Sequence, residues 1–240
     1  MTIVGIESSA LVASVAIIDE ERLIAEYTVN NQKTHSQTLL PMLDEIMKAL
    51  GLAPDSIDAI AVSRGPGSFT GLRIGAATAK GLGLALDKPI VEVPTLAALA
   101  WNLFGTGDSL VCPIMDARRA EVYSGVYCFD DNCGEGDGQT AGFRTIIGEQ
   151  AGPLAGLIDE LNKLGRKVIF LGDAVPVYRE LIAGNMKVPY SFAPEHLSRQ
   201  RAGSVAVLGL KLFREGRVTA ARDHVPVYLR VSQAERERNA

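Results

Sequence analysis

Apolar positions along this chain switch twice between the short runs of strands and the 3.6-residue period of helices. Ile3–Glu7 and Leu11–Asp19 are β-branched runs parted by Ser8-Ser9-Ala10, which predicts a hairpin. A third strand is expected over Leu23–Val29, after the charged turn Asp19-Glu20-Glu21-Arg22. Leu39, Leu40, Leu43, Ile46, Met47 and Leu50 keep helical spacing, with Thr34-His35-Ser36-Gln37 suited to start the helix and Gly51 to close it. Next come a strand at Ile57–Ser63, a helix at Gly71–Leu86, a strand at Pro89–Val93 and a helix from Pro94 to about Phe104. Gly105–Ser109 has linker composition. Beyond it, Leu110–Met115 and Glu121–Asp130 read as a hairpin turned by Asp116–Ala120, and Asp131–Gly142 as a loop. Phe143–Ile147 follows as a strand, Gly152–Leu164 as a helix, Lys167–Leu171 as a strand and Val175–Ala183 as a short helix. Gly203–Glu215 predicts a last helix before a charged tail.

The order strand–strand–strand–helix–strand–helix thus occurs twice. Hairpins followed by strand–helix steps imply an α/β fold with mixed sheets and helices on their faces. Two such units leave a cleft between them, where ligands of such folds sit. The expected units are 1–104 and 105–202, with the last helix (203–216) returning to the first and a charged tail over 217–240.

Gly71–Leu86 is unusual for a helix. It holds four glycines, each costing about 0.8–1 kcal/mol relative to alanine. Gly71, Gly75, Ala79 and Gly83 recur every fourth residue and form a nearly bare stripe, while Leu72, Ile74, Ala76, Leu82, Ala85 and Leu86 make the other sides apolar. Close helix approach needs small residues at the contact, so the stripe suggests a second helix from this chain or another.

With 240 residues the chain has ample core-forming capacity, and its formal charge of −4 argues against a main nucleic-acid-binding surface without excluding a local basic patch. No basic-then-apolar start and no long apolar run predict a signal or a membrane span. Cys112, Cys128 and Cys133, odd in number and without C-x-x-C spacing, read as reduced thiols of a cytoplasmic protein.

The doubled order resembles the actin/hexokinase/Hsp70 (ASKHA) superfamily, whose members bind ATP in the cleft. The block Gly65–Arg73, continued by Gly75, Ala79-Lys80-Gly81-Leu82 and Pro94-Thr95-Leu96, closely resembles the TsaB (YeaZ) family of bacterial tRNA N6-threonylcarbamoyladenosine (t6A) synthesis. Ile6-Glu7-Ser8-Ser9, His35-Ser36-Gln37 with Leu40-Pro41, Asp116-Ala117-Arg118 with Glu121-Val122-Tyr123, Gly172-Asp173 and Pro226–Arg230 add weaker matches, so the resemblance spans essentially the whole chain. It implies a non-catalytic subunit that docks the catalytic relative TsaD by a helix bundle, forms a homodimer when alone, works with the ATPase TsaE, and meets tRNA only through the complex. The interface residues it implies are Leu39, Met42, Leu43, Ile46, Met47, Gly71, Leu72, Gly75, Ala76, Ala79 and Gly83. It implies no cofactor required by this chain and leaves a nucleotide at the partner interface open.

The alternative is a stand-alone ATP-binding phosphotransferase or ATPase, for which Glu7, Ser8, Ser9, Gly172 and Asp173 are the cofactor-contact candidates. Glu7 stands where the family usually has Asp, and the longer side chain puts a geometry-sensitive magnesium site in doubt. Gly65–Gly71 is glycine-rich before a helix, as phosphate loops are, but lacks the Gly-Lys-Ser/Thr of a Walker A motif. His35, His196 and His224 lie far apart in sequence, which leaves neither a paired-histidine metal site nor the ligands of a metal endopeptidase. Ser8 and Ser9 lack a paired base, and Arg118-Arg119 reads as a charged turn able to meet a partner or RNA. No catalytic residue emerges.

Overall fold

The structure, a computed structural model, describes residues 1–30, 35–129 and 142–230. The expectations for Thr34, for most of Asp131–Gly142 with Cys133, and for the tail past Arg230 lie outside the described residues. The chain falls into two compact units, Met1–Ala98 with the chain from Gln200 onward, and Leu99–Arg199.

The first unit contains β1 (Ile3–Glu7), β2 (Val12–Ile18), β3 (Leu23–Asn30), α1 (His35–Leu50), β4 (Ala59–Gly65), α2 (Phe69–Leu86) and β5 (Ile90–Pro94), followed by α3 (Thr95–Ala100) at the junction. Its sheet runs β3-β2-β1-β4-β5, antiparallel through the two hairpins and parallel from β1 to β4 to β5. The second unit contains β6 (Gly107–Asp116), β7 (Val122–Phe129), β8 (Arg144–Gly152), α4 (Leu154–Leu164), β9 (Val168–Leu171), α5 (Val175–Asn185) and β10 (Tyr190–Phe192). Its sheet, β10-β9-β6-β7-β8, repeats the first strand for strand, with β6 in the place of β1 and β9 in that of β4. α6 (Ala202–Arg214) closes the series.

β1 is buried on both faces, as a strand covered by helices on each side must be. Val4 and Ile6 join the core that Leu39, Met42, Leu43, Ile46 and Met47 of α1 fill. Gly5 faces the other way, onto α6, where a Cβ would stand 2.9 Å from that of Ala206. α6 therefore packs back on the first sheet. Glu26 of β3 fastens its start: Arg201 is ion-paired to it, and Gly203 N donates to Glu26 Oε1 at 2.9 Å.

The following chain runs along α2 as a strap. Thr219 pairs with Ile90, and Lys80 Nζ donates to the carbonyls of Arg222 and His224 at 2.8 and 3.1 Å. Val227 N donates to Arg64 O at 2.7 Å, and the Tyr228 ring lies 4.9 Å from that of Phe69.

Two departures from the sequence pattern are physical. β10 has three residues just past Pro189, too few to show alternation. The helix expected to reach Phe104 stops at Ala100 and tightens into a 3-10 turn over Trp101–Leu103.

Candidate functional site

The glycine stripe of α2 is turned inward. A Cβ on Gly71 would collide with Ser8 O, and one on Gly75 with Ser8 Oγ; one on Gly83 would stand 2.7 Å from Ala221 Cβ and 2.9 Å from Lys88 O. The close neighbour is this chain's own β1–β2 turn at one end and its own strap at the other. The expectation that the stripe receives a foreign backbone is therefore overturned. Leu39, Met42, Leu43, Ile46, Met47, Leu72, Ala76 and Ala79 are buried as well, so none of the residues expected at the interface faces outward.

The outward face lies elsewhere on the same helices. On α2 it carries Thr70, Arg73, Ala77, Gly81, Leu84 and Ala85; on α1 it carries Leu40, Pro41, Asp44, Glu45 and Lys48. Leu84 is 62% and Leu40 49% exposed, and nothing lies within 4 Å of the point where a Gly81 Cβ would be. Ala77, Gly81 and Ala85 form a second small-residue row, this one open.

Glu7, Ser8 and Ser9 meet at the carboxyl end of β1. Ser9 donates to Glu7 Oε1 through both its backbone N–H and its hydroxyl, each at 2.6 Å. Ser8 Oγ donates to Gly71 O at 2.9 Å, and Ser68 N to Ser9 O at 2.6 Å. All three side chains are buried. Burial raises the Glu7 carboxyl above its ordinary range, against the lowering pull of the Ser9 and Ser63 hydrogen bonds. At the start of α2, Gly71 N is satisfied by Ser68 Oγ and Leu72 N by Ser68 O. A phosphate with its magnesium needs free N–H groups and an accessible carboxylate. Glu7 is buried and bonded to Ser9, so it offers magnesium no accessible carboxylate, and the cluster does not fit that group.

The corresponding end of β9 is more open. Gly172 turns at φ 113°, and its N–H donates to Ser198 O and Oγ, both at 3.1 Å. Asp173 accepts from Asp116 N at 3.3 Å. Burial raises the Asp173 carboxyl; the Asp116 N–H and the Arg199 charge work the other way. Asp173 therefore ties β6 to α5 rather than capping the helix. Arg118 is held by Asp116, through its N–H at 2.7 Å and its guanidinium at 3.3 Å, in a turn where Arg118, Arg119 and Ala120 all have positive φ. His35 Nε2 lies 2.9 and 3.2 Å from the carbonyls of Ala10 and Val12 and pins the β1–β2 turn to α1. Among the described residues no group of three or more His, Cys, Asp or Glu side chains is placed to hold a metal ion.

The sequence model of the TsaD family, described as tRNA N6-adenosine threonylcarbamoyltransferase, matches residues 22–238. A Bacillus subtilis (strain 168) protein described as tRNA threonylcarbamoyladenosine biosynthesis protein TsaB is 32% identical over 236 residues, covering 98% of this chain and 96% of that protein. The chain belongs to the TsaB family. The TsaB protein of Escherichia coli (strain K12) is 36% identical over 133 residues, which is 55% of this chain and 57% of that one. A Pseudomonas aeruginosa structure described as similar to peptidase YeaZ superposes with a TM-score of 0.79 at 28% identity, covering 95% of this chain and 99% of its own. This TsaB-family chain has the α/β fold of two repeated units that the element order implied, and shares it with the YeaZ-like structure. Family membership connects it with t6A biosynthesis. No helix among the described residues is long and apolar enough to cross a membrane.

Proposed function

We propose that this chain is the non-catalytic subunit of a cytoplasmic t6A-synthesis complex and docks its TsaD-type catalytic partner through the outward faces of α1 and α2. Docking orders the catalytic subunit for transfer of the threonylcarbamoyl group to tRNA. Without that partner, the same face joins two copies of this chain. One observation carries the reading: α2, packed on its own sheet along one side, leaves Ala77, Gly81, Leu84 and Ala85 open on the other. Small residues let a second helix approach closely, and Leu84 with Leu40 supplies apolar area to bury. The internally bonded Glu7 cluster supports a role without phosphate chemistry at that point.

The test is Gly81→Arg, which adds bulk and charge where nothing of this chain stands within 4 Å. Co-purification with the TsaD-type subunit is expected to be lost while circular dichroism and the unfolding midpoint stay as in the unaltered chain. Undiminished co-purification would refute this docking face. Gly75→Arg cannot serve, because it would force Ser8 out of the core.

A further inference from the structure

We infer that one end of the second unit, where α4 and α5 finish and β6 and β9 begin, contacts the RNA phosphate backbone. The chain as a whole is acidic, at −4. Yet Lys163, Arg166, Lys167 and Lys187 gather here. Arg166 Nε and one terminal nitrogen donate to Asp108 O at 3.0 and 2.6 Å, and Leu110 N donates to Lys167 O at 2.8 Å. Asn162 bridges the two helix ends, donating to Asn185 O at 3.0 Å and accepting from Lys187 N at 2.7 Å. Lys163, Lys167 and Lys187 are exposed. Among the described residues none of the four cations is ion-paired to a carboxylate. Among the described residues the acids nearby are Asp108 and, one turn back on α4 from Lys163, Asp159 and Glu160, against the four cations. Asp108, Ser109, Arg166 and Lys167 line an open cavity of about 490 Å³.

An aromatic platform lies beside it. Phe104, four residues before Asp108, is 60% exposed, and its ring is stacked on Trp101 at 5.0 Å and 9°. Phe129, paired with Gly107, supports it edge-on at 5.4 Å. One face of Phe104 is thus held rigid by its neighbours while much of the ring meets solvent. Cations without carboxylate partners near a partly exposed phenylalanine suit a single-stranded or looped nucleic acid, whose phosphates the cations neutralise and whose bases stack. That the nucleic acid is tRNA rests on the proposed function. The inference goes further by giving this subunit its own share of the contact.

The test measures fluorescence anisotropy of labelled tRNA with the chain alone and with its complex, across a salt series. Complex mass is recorded in the same samples. The triple variant Lys163→Glu/Lys167→Glu/Lys187→Glu changes exposed side chains only and leaves Arg166 to hold Asp108. Its affinity is expected to fall at least about tenfold, with a salt slope shallower by about two, since each phosphate contact contributes roughly 0.7–0.9. Phe104→Leu keeps apolar bulk and loses the stacking face; it should weaken binding about tenfold with the slope unchanged. Wild-type affinity and slope in both variants, with complexes of normal mass, overturn the inference. So does loss of a protein component while tRNA binding persists, because the face would then be a protein contact. If the unaltered chain forms no complex, the proposed function fails instead. The chain alone then decides: weak, salt-sensitive binding removed by the triple variant supports the inference, and binding indifferent to it overturns it.

Discussion

Gly75 and Gly81 lie six residues apart on one helix, and replacing each by alanine should move stability in opposite directions. At Gly81 the added methyl meets nothing within 4 Å. The change therefore gains only helix propensity, about 0.8–1 kcal/mol. At Gly75 the same methyl collides with Ser8 Oγ, with Val62 Cγ2 at 3.7 Å behind it. Ser8 Oγ must leave, and with it goes the buried hydrogen bond to Gly71 O. Overpacking costs about 1–3 kcal/mol and the buried polar loss a similar amount, against a propensity gain of about 1 kcal/mol. The net is about 3 kcal/mol of destabilisation, and the two variants should differ by about 4 kcal/mol. Urea unfolding followed by far-ultraviolet circular dichroism reads this directly. With slopes of about 1–3 kcal/mol per molar, the midpoints should separate by about 1 M or more. Exchange of the α2 amides locates the change in that helix. Gly75→Ala unfolding at or above the wild-type midpoint, or Gly81→Ala below it, would refute the inward assignment of the stripe.

Glu7→Gln keeps the acceptor that Ser9 needs but cannot ionise. Because burial raises the Glu7 carboxyl, protonation favours folding; that contribution is full below the ordinary glutamate range and is lost as pH rises through the raised value. The Gln variant should therefore gain on wild type in urea midpoint as pH rises above the ordinary glutamate range, and parallel curves would contradict the burial argument. Glu26→Ala strips the partner from Arg201 and from the Gly203 N–H, at a cost of about 2 kcal/mol, with faster amide exchange at the start of α6 as its local signature. Lys80→Ala removes the two bonds from α2 to the strap carbonyls of Arg222 and His224 and leaves the His224 Nδ1–Glu92 Oε1 contact at 2.7 Å. Charged hydrogen bonds contribute about 1.5–3 kcal/mol, so tryptic cleavage after Arg222 should accelerate by about tenfold or more; an unchanged rate would mean the strap is held elsewhere.

Much of the architecture was legible in the chain. The spacing of Leu39, Leu43 and Ile46 marked the buried side of α1 because large apolar side chains advertise the face they occupy. The same logic failed on α2. Glycine and alanine recur there on two sides, at 71, 75, 79 and 83 and at 77, 81 and 85, and a residue without a side chain carries no sign of which side is covered. Ser8, distant in sequence, decides it. The polar candidates were found for the same reason that their roles were misread. Glu7, Ser8 and Ser9 do converge, but only in the folded chain do they spend their donors and acceptors on one another and on the start of α2. Phe104 and the cations near Asp108 were invisible as a group, since they come from three separate segments.

α6 has a consequence for synthesis on the ribosome. Residues 99–199 are made before residues 202–214, so the inserted unit has all its strands while one layer of the enclosing unit is still missing. Until that layer emerges, Gly5 has no Ala206 to pack against and Glu26 no Gly203 N–H to accept. A nascent chain halted before residue 202 should thus carry a finished second unit and a first unit that protease can still enter.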